Sequence, residues 1–224
     1  MTQNQFSPVF SLERTTPPHQ SAKKKLYFSL IFIHLSILLF NEPSWAGVFF
    51  LPHYIPTEQR ALGVEPEWLL SRGAGLGVNL RYGQGVSEML NLSGLIGTGS
   101  EPQAFRVGGA ATLDLYPDDD RQPGLGIAFQ GIFSQGSLGS TWSLSAIPYL
   151  HKTLTNKGAI PMEPFFALPL GKQVLHPSEP PQFIASFTVG SFFHYGEHWS
   201  SVVELGIGIT HVMTYFSGGL IYYY

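Results

Sequence analysis

Phe216-Ser217-Gly218-Gly219-Leu220-Ile221-Tyr222-Tyr223-Tyr224 is the last stretch of the chain, and it alternates. One face carries Phe216, Gly218, Leu220, Tyr222 and Tyr224; the other carries Ser217, Gly219, Ile221 and Tyr223. A two-residue period is the signature of a strand. The tyrosines favour both strand and bilayer interface. A soluble domain commonly frays into polar residues at its terminus. The stretch therefore predicts a final strand that closes a barrel in a lipid bilayer.

The same alternation recurs upstream. In 73–82, Ala74, Leu76, Val78, Leu80 and Tyr82 share one face, against Gly75, Gly77, Asn79 and Arg81. In 104–116, Phe105, Val107, Leu113 and Leu115 oppose Arg106, Thr112 and Asp114. In 124–133, Leu125, Ile127, Phe129 and Phe133 oppose Gly126, Ala128 and Gln130. In 142–150, Trp142, Leu144 and Leu150 oppose Ser143, Ser145, Ile147 and Tyr149, and in 203–210 Val203, Leu205, Ile207 and Ile209 oppose Glu204, Gly206 and Gly208. Apolar residues outside with small or polar ones inside is the pattern of a membrane barrel. Weaker strands are read at 61–71, 85–98, 159–170 and 182–195, where Pro66, Pro161, Pro164 and Pro169 interrupt ladder donors.

The terminal Tyr222-x-Tyr224, preceded at alternate positions by Leu220 and Phe216, resembles the C-terminal assembly signal of bacterial outer-membrane β-barrel proteins. The resemblance covers about the last nine residues. It implies recognition by the barrel-assembly machinery, a Gram-negative outer membrane, and contact with outer-membrane lipids and lipopolysaccharide.

The other end supplies a route. Lys23-Lys24-Lys25 precedes the apolar run 26–40, and Ser44-Trp45-Ala46 precedes Gly47. Basic, apolar and small-x-small parts in that order read as a secretory signal peptide cleaved after Ala46. The run is shorter than the ~20 residues a membrane helix needs, and an uncleaved anchor is the alternative. Residues 1–22 form an extended leader region, and 47–60 are read as a periplasmic segment before a barrel spanning 61–224.

Composition agrees. Charged residues make up 12% of the chain, against roughly 25% in soluble domains. Removing 1–46 takes four of the 12 basic and two of the 15 acidic residues, leaving a formal charge of −5 and no basic stripe for nucleic acid. With no cysteine, no disulfide supports the fold, and the strand ladder must. The expectation is an all-β, antiparallel, up-and-down transmembrane β-barrel. Ten strands are preferred, since single-chain bacterial barrels have even numbers; eight is the alternative. A soluble β-sandwich would require polar outer faces.

Turns are read at 83–85, 117–123, 156–158 and 196–198 on the periplasmic side, and loops at 99–103, 134–140 and 172–182 outside. Tyr224 then sits at the periplasmic rim.

The inward charges are Arg81, Arg106, Asp114, Glu163 and Glu204, joined by Asn79 and Gln130. In a narrow barrel they form a polar network that fixes register, or else line a narrow channel for ions or small polar solutes. Tyr82, Tyr116, Trp142, Tyr149, Trp199 and Tyr215 are assigned to the aromatic girdles. Some barrel enzymes, such as lipid A deacylases, carry His, Ser and an acid, and His198, Ser200 and Glu204 are the candidates here. The Asn that follows Ser in that motif is missing, so these residues are read as interfacial turn positions and no catalytic activity is expected. Asp118-Asp119-Asp120 is read as a solvated turn rather than a calcium loop. No metal or cofactor is expected. The predicted protein is a monomeric outer-membrane barrel of structural or surface role.

Overall fold

The computed structural model describes residues 55–71, 74–100, 104–119, 122–137, 139–155, 158–174 and 180–224. The leader and signal peptide expected at 1–46, with its cleavage point, lie outside them. The strands are β1 (Arg60–Leu69), β2 (Gly75–Gly85), β3 (Leu90–Gly99), β4 (Phe105–Tyr116), β5 (Gly124–Gly136), β6 (Gly139–His151), β7 (Met162–Ala167), β8 (Leu170–Val174), β9 (Gln182–Tyr195), β10 (Trp199–Thr210) and β11 (Tyr215–Tyr223). β7 and β8 each pair with both β6 and β9. They are two halves of one crossing, parted at Leu168-Pro169, where proline lacks a ladder donor. The crossings therefore number ten.

Every neighbour pairs antiparallel, and β1 pairs with β11 from Ala61↔Tyr223 to Leu69↔Tyr215. Arg60 and Tyr224 exchange both backbone hydrogen bonds at 3.0 Å. The sheet is thus a closed barrel with no free edge, as a lipid environment demands. Pro66 sits within β1, and the β1–β11 pairing skips from Val64↔Leu220 to Glu67↔Ser217 across it.

The alternation is inside out relative to a soluble protein. Leu76, Leu144, Ile209 and Leu220 are each more than half exposed, while Asn79, Arg106, Glu67 and Glu204 are buried. In water this would expose a continuous apolar wall; in hydrocarbon it is the stable arrangement, and the barrel is of the transmembrane kind. One outward row crosses five strands as Tyr82, Leu62, Tyr222, Trp199 and Tyr195. Trp199 and Tyr222 lie 4.9 Å apart. At the opposite mouth Trp142 packs on Phe133 at 4.8 Å and Trp68 on Phe216 at 6.0 Å.

Several boundaries differ from the sequence reading. The expected loop 134–140 is a hairpin: β5 and β6 stay paired to Gly136↔Gly139. Gly139 takes a φ of +116°, which a side chain would oppose. The tight turn expected at 83–85 is strand, and the reversal falls at 86–89, where the Val86 and Ser87 N–H groups donate to the Leu90 carbonyl. Gly83 and Gly85 are glycines because Ile55 and Pro56 lie where a Cβ would stand. The expected short turn at 156–158 is part of a longer connection, 152–161. The mouth that carries Tyr224 therefore has the longest link between strands, 152–161, while the opposite mouth has the tightest hairpin, so loop length no longer orients the barrel.

Residues 55–59, within the segment 47–60 expected to be periplasmic, strap the Tyr224 mouth. Thr57 bridges Gly85, and Ile55 is buried among Ala61, Phe165, Phe192, Val202 and Ile221. At the other mouth the 211–214 link turns inward, burying Val212 and Met213. His211 holds a φ of +51° there.

Closure of this kind resists detergent until heated, so the chain should migrate faster unboiled than boiled in detergent gels. The Tyr215 ring occupies the space a Cβ on Gly206 would need. Gly206→Leu should therefore abolish the fast-migrating band.

Candidate functional site

The lumen is built from alternate positions of strands already fixed by their outward faces. Arg81 Nη2 lies 3.0 Å from Glu65 Oε2, and Arg106 Nη1 lies 2.6 Å from Glu67 Oε2. All four side chains are almost fully enclosed, and the pairs join β1 to β2 and β1 to β4. Glu204 accepts a hydrogen bond from the Tyr215 hydroxyl. Apolar layers flank this charged layer. Phe165, Phe192, Val202, Ile221 and Tyr223 close one side with Ile55. Leu69, Met213 and Tyr215 form a cluster towards the other. Two voids beside Arg81 measure about 30 Å³ and 10 Å³, room for a water or two.

Of the expected interior residues, Asn79, Arg81, Arg106, Gln130, Glu163 and Glu204 are buried inside, and Asp114 is half-buried. Glu65 and Glu67 were missed because 61–71 was read as a weak strand. Their place on one face with Ala61, Gly63 and Leu69, alternating with Leu62, Val64 and Trp68, was the available signal. Of the expected girdle residues, Tyr82, Tyr116, Trp142 and Trp199 face outward and are exposed. Tyr149 and Tyr215 do not: they are 2% and 0% exposed, inside the lumen. Parity decides it, since Tyr149 shares its face with Ser143 and Ile147, and Tyr215 with Ser217. Phe216, Leu220, Tyr222 and Tyr224 all face outward.

His198, Ser200 and Glu204 are not brought together. His198 Nδ1 lies 3.1 Å from the Tyr223 carbonyl oxygen, and Glu204 is engaged by Tyr215. Ser200 Oγ instead lies 2.8 Å from His194 Nδ1, and His194 Nε2 lies 3.2 Å from Glu163 Oε2. The other Glu163 oxygen lies 2.7 Å from His151 Nδ1. Direct pairing of Ser200 with His194 across β9 and β10 places this chain just inside the Tyr224 mouth. Ser200 is 1% exposed and so enclosed.

Outside the strands, Asp118 forms a clasp. Its carboxylate accepts from Lys152 Nζ at 2.8 Å and from the Thr153 N–H at 2.6 Å. Desolvation alone would raise its pKa. The Lys152 and Thr153 hydrogen bonds and the ammonium charge outweigh it, holding the carboxyl below its usual value. Asp119 accepts from the Gln122 N–H through its side chain and from Lys152 through its carbonyl. Asp120 lies outside the described residues. Among the described residues no group of three or more His, Asp or Glu side chains is placed to hold a metal ion.

No family model matches the chain, and no curated protein matches it. Among solved structures, a chain described as "De novo design of transmembrane beta-barrels" aligns over 77% of this chain and 100% of its own, at 10% identity and a TM-score of 0.40.

Removing one partner of a buried pair leaves a charge uncompensated. Arg106→Met should destabilise the barrel by about 3–5 kcal/mol, and adding Glu67→Leu should recover most of the loss. Urea unfolding in vesicles, followed by tryptophan fluorescence, reads both. The Asp118 clasp has the opposite visibility. Its depressed pKa adds stability above the unfolded carboxyl value of about 4, lost as pH falls through the folded value. Lys152 is 31% exposed, so the contribution is screened and below about 1 kcal/mol. Asp118→Asn should flatten that part of the acid-unfolding curve.

Proposed function

We propose that this chain is a closed, non-conducting barrel of a bacterial outer membrane, with a structural or surface role and no catalytic activity. The observation that carries the reading is the crossed lumen. Two enclosed Arg–Glu pairs fill its middle, and apolar side chains fill the layers beside them. A permeating ion would have to displace partnered charges and then desolvate against phenylalanine, isoleucine and methionine. Each step costs several kcal/mol.

The route to that membrane follows from the sequence ends. A signal peptide cleaved after Ala46 exports the chain, and the outward face of Phe216, Leu220, Tyr222 and Tyr224 serves as the assembly signal read by the barrel-assembly machinery. The folded monomer then sits among outer-membrane lipids and lipopolysaccharide, its aromatic rows at the two interfaces.

Planar-bilayer recording of the purified protein tests the closed lumen. The expected trace is flat at 100 mV. Regular conductance steps would establish the runner-up, a narrow channel for small polar solutes, and they should then respond to Arg81→Ala. N-terminal sequencing of the protein from outer-membrane fractions should begin at Gly47.

A further inference from the structure

In an antiparallel ladder a bonded pair of residues exchanges two N–H···O bonds. Around the crossing made by β7 and β8, four such pairs make one. On the β6 side, Leu168 donates to the Pro148 carbonyl at 3.0 Å and Lys152 to the Pro164 carbonyl at 3.1 Å. On the β9 side, His194 donates to the Pro161 carbonyl and Ser186 to that of Pro169, both at 3.0 Å. In each pair the proline has no N–H to return. Outside this crossing and its β6 neighbour, the strands carry one proline, Pro66 in β1. Parting two strands in hydrocarbon leaves their N–H groups without partners, and that cost holds a membrane barrel shut. Here four of those N–H groups do not exist.

A side chain takes their place at the Tyr224 mouth. Glu163 stands between Pro161 and Pro164, 4% exposed. Its Oε1 lies 2.7 Å from His151 Nδ1 on β6, and its Oε2 lies 3.2 Å from His194 Nε2 on β9. One carboxylate thus spans both edges of the crossing, at the level where Pro164 withholds a donor from β6 and Pro161 withholds one from β9. His194 is tied in turn to Ser200 of β10, and His151 lies 3.8 Å from Asp114 of β4. The other titratable groups around Glu163 are the Tyr149 phenol beside His151, the Tyr223 phenol of β11, and Lys152 with Asp118 at the rim. A carboxylate accepts from both imidazoles at once. A carboxylic acid keeps one oxygen that only accepts, and its hydroxyl donates. Protonating Glu163 therefore releases one of the two neighbouring strands.

We propose that the β7–β8 crossing is a separable strand of the barrel, and that Glu163, clamped between His151 and His194, is the acid-labile latch that holds it. The ladder elsewhere stays shut, so the wall opens at one place.

Hydrogen exchange of the full-length chain in phosphatidylcholine vesicles, read by mass spectrometry, tests both parts. At about pH 7 the amides of 162–174 should exchange at least about tenfold faster than those of β4 and β5. Lowering the pH to about 3, below the ordinary glutamate value, and correcting for the intrinsic rate should widen that gap. Glu163→Gln should show the acid exchange already at neutral pH and change no further on acidification. Equal protection of 162–174 and β5 in the wild type overturns the proposal. So does acid that speeds every strand alike, or a folded Glu163→Gln that keeps the wild-type exchange or its pH response. If the variant shows no heat shift in detergent gels, the wild-type acid arm decides.

Discussion

A strand in hydrocarbon has no water to satisfy its backbone, so each N–H and C=O must find another strand. In this chain the last set of partners comes from β1 meeting β11, with Arg60 and Tyr224 exchanging hydrogen bonds at the seam. The rest follows from that closure. Strand number must be even for the ends to meet antiparallel at one mouth, and the proline-split crossing of β7 and β8 counts as one. The seam also tolerates its own flaw: Pro66 withholds a donor, yet register is the same on both sides of it.

Closure sorts the side chains without further instruction. Alternate residues must face lipid, and these are apolar; the others must share a narrow interior. There Arg81 and Arg106 need carboxylates, and β1 provides both as Glu65 and Glu67, two residues apart on one face. Strand β1 is therefore both the seam and the anion side of the charged layer. A slip of one residue would put Glu65 and Glu67 into lipid and Trp68 into the lumen. The charge pairs are costly to bury, but the same cost penalises every wrong register.

The period of two made the wall legible from sequence, and with it the ten crossings and the outward aromatics. Tyr149 and Tyr215 show where a residue preference misleads: interface propensity assigned them to the girdle, while parity with Ser143 and Ser217 puts them inside. Glu65 and Glu67 were hidden for a different reason. Pro66 between them weakened the strand signal, although proline facing lipid at the seam costs only one donor. The cluster around Glu163 was less legible still. His151 and His194 lie 12 and 31 residues from Glu163 on three different strands, and only the ladder register brings both imidazoles to its carboxylate. Connection lengths misled because Gly83 and Gly85 look like a turn, whereas they clear space for Ile55 and Pro56.

The two mouths are sealed by different means. The 211–214 link seals one mouth from within its own hairpin, with Val212 and Met213 as side chains of the seal. At the Tyr224 mouth the described residues of the seal include the strap at 55–59, which leans on β2 and on the Asn91 side chain. At this mouth the register of β4 against β5 shifts between Asp114 and Tyr116. A bulge at a barrel rim re-aims side chains, and here Asp114 Oδ1 lies 3.8 Å from His151 Nε2. The apolar cluster of Ile55, Phe165, Phe192, Val202, Ile221 and Tyr223 closes this side of the Arg–Glu layer, so the charges that fix the register sit in an enclosed part of the lumen, apart from the carboxylates at the rim.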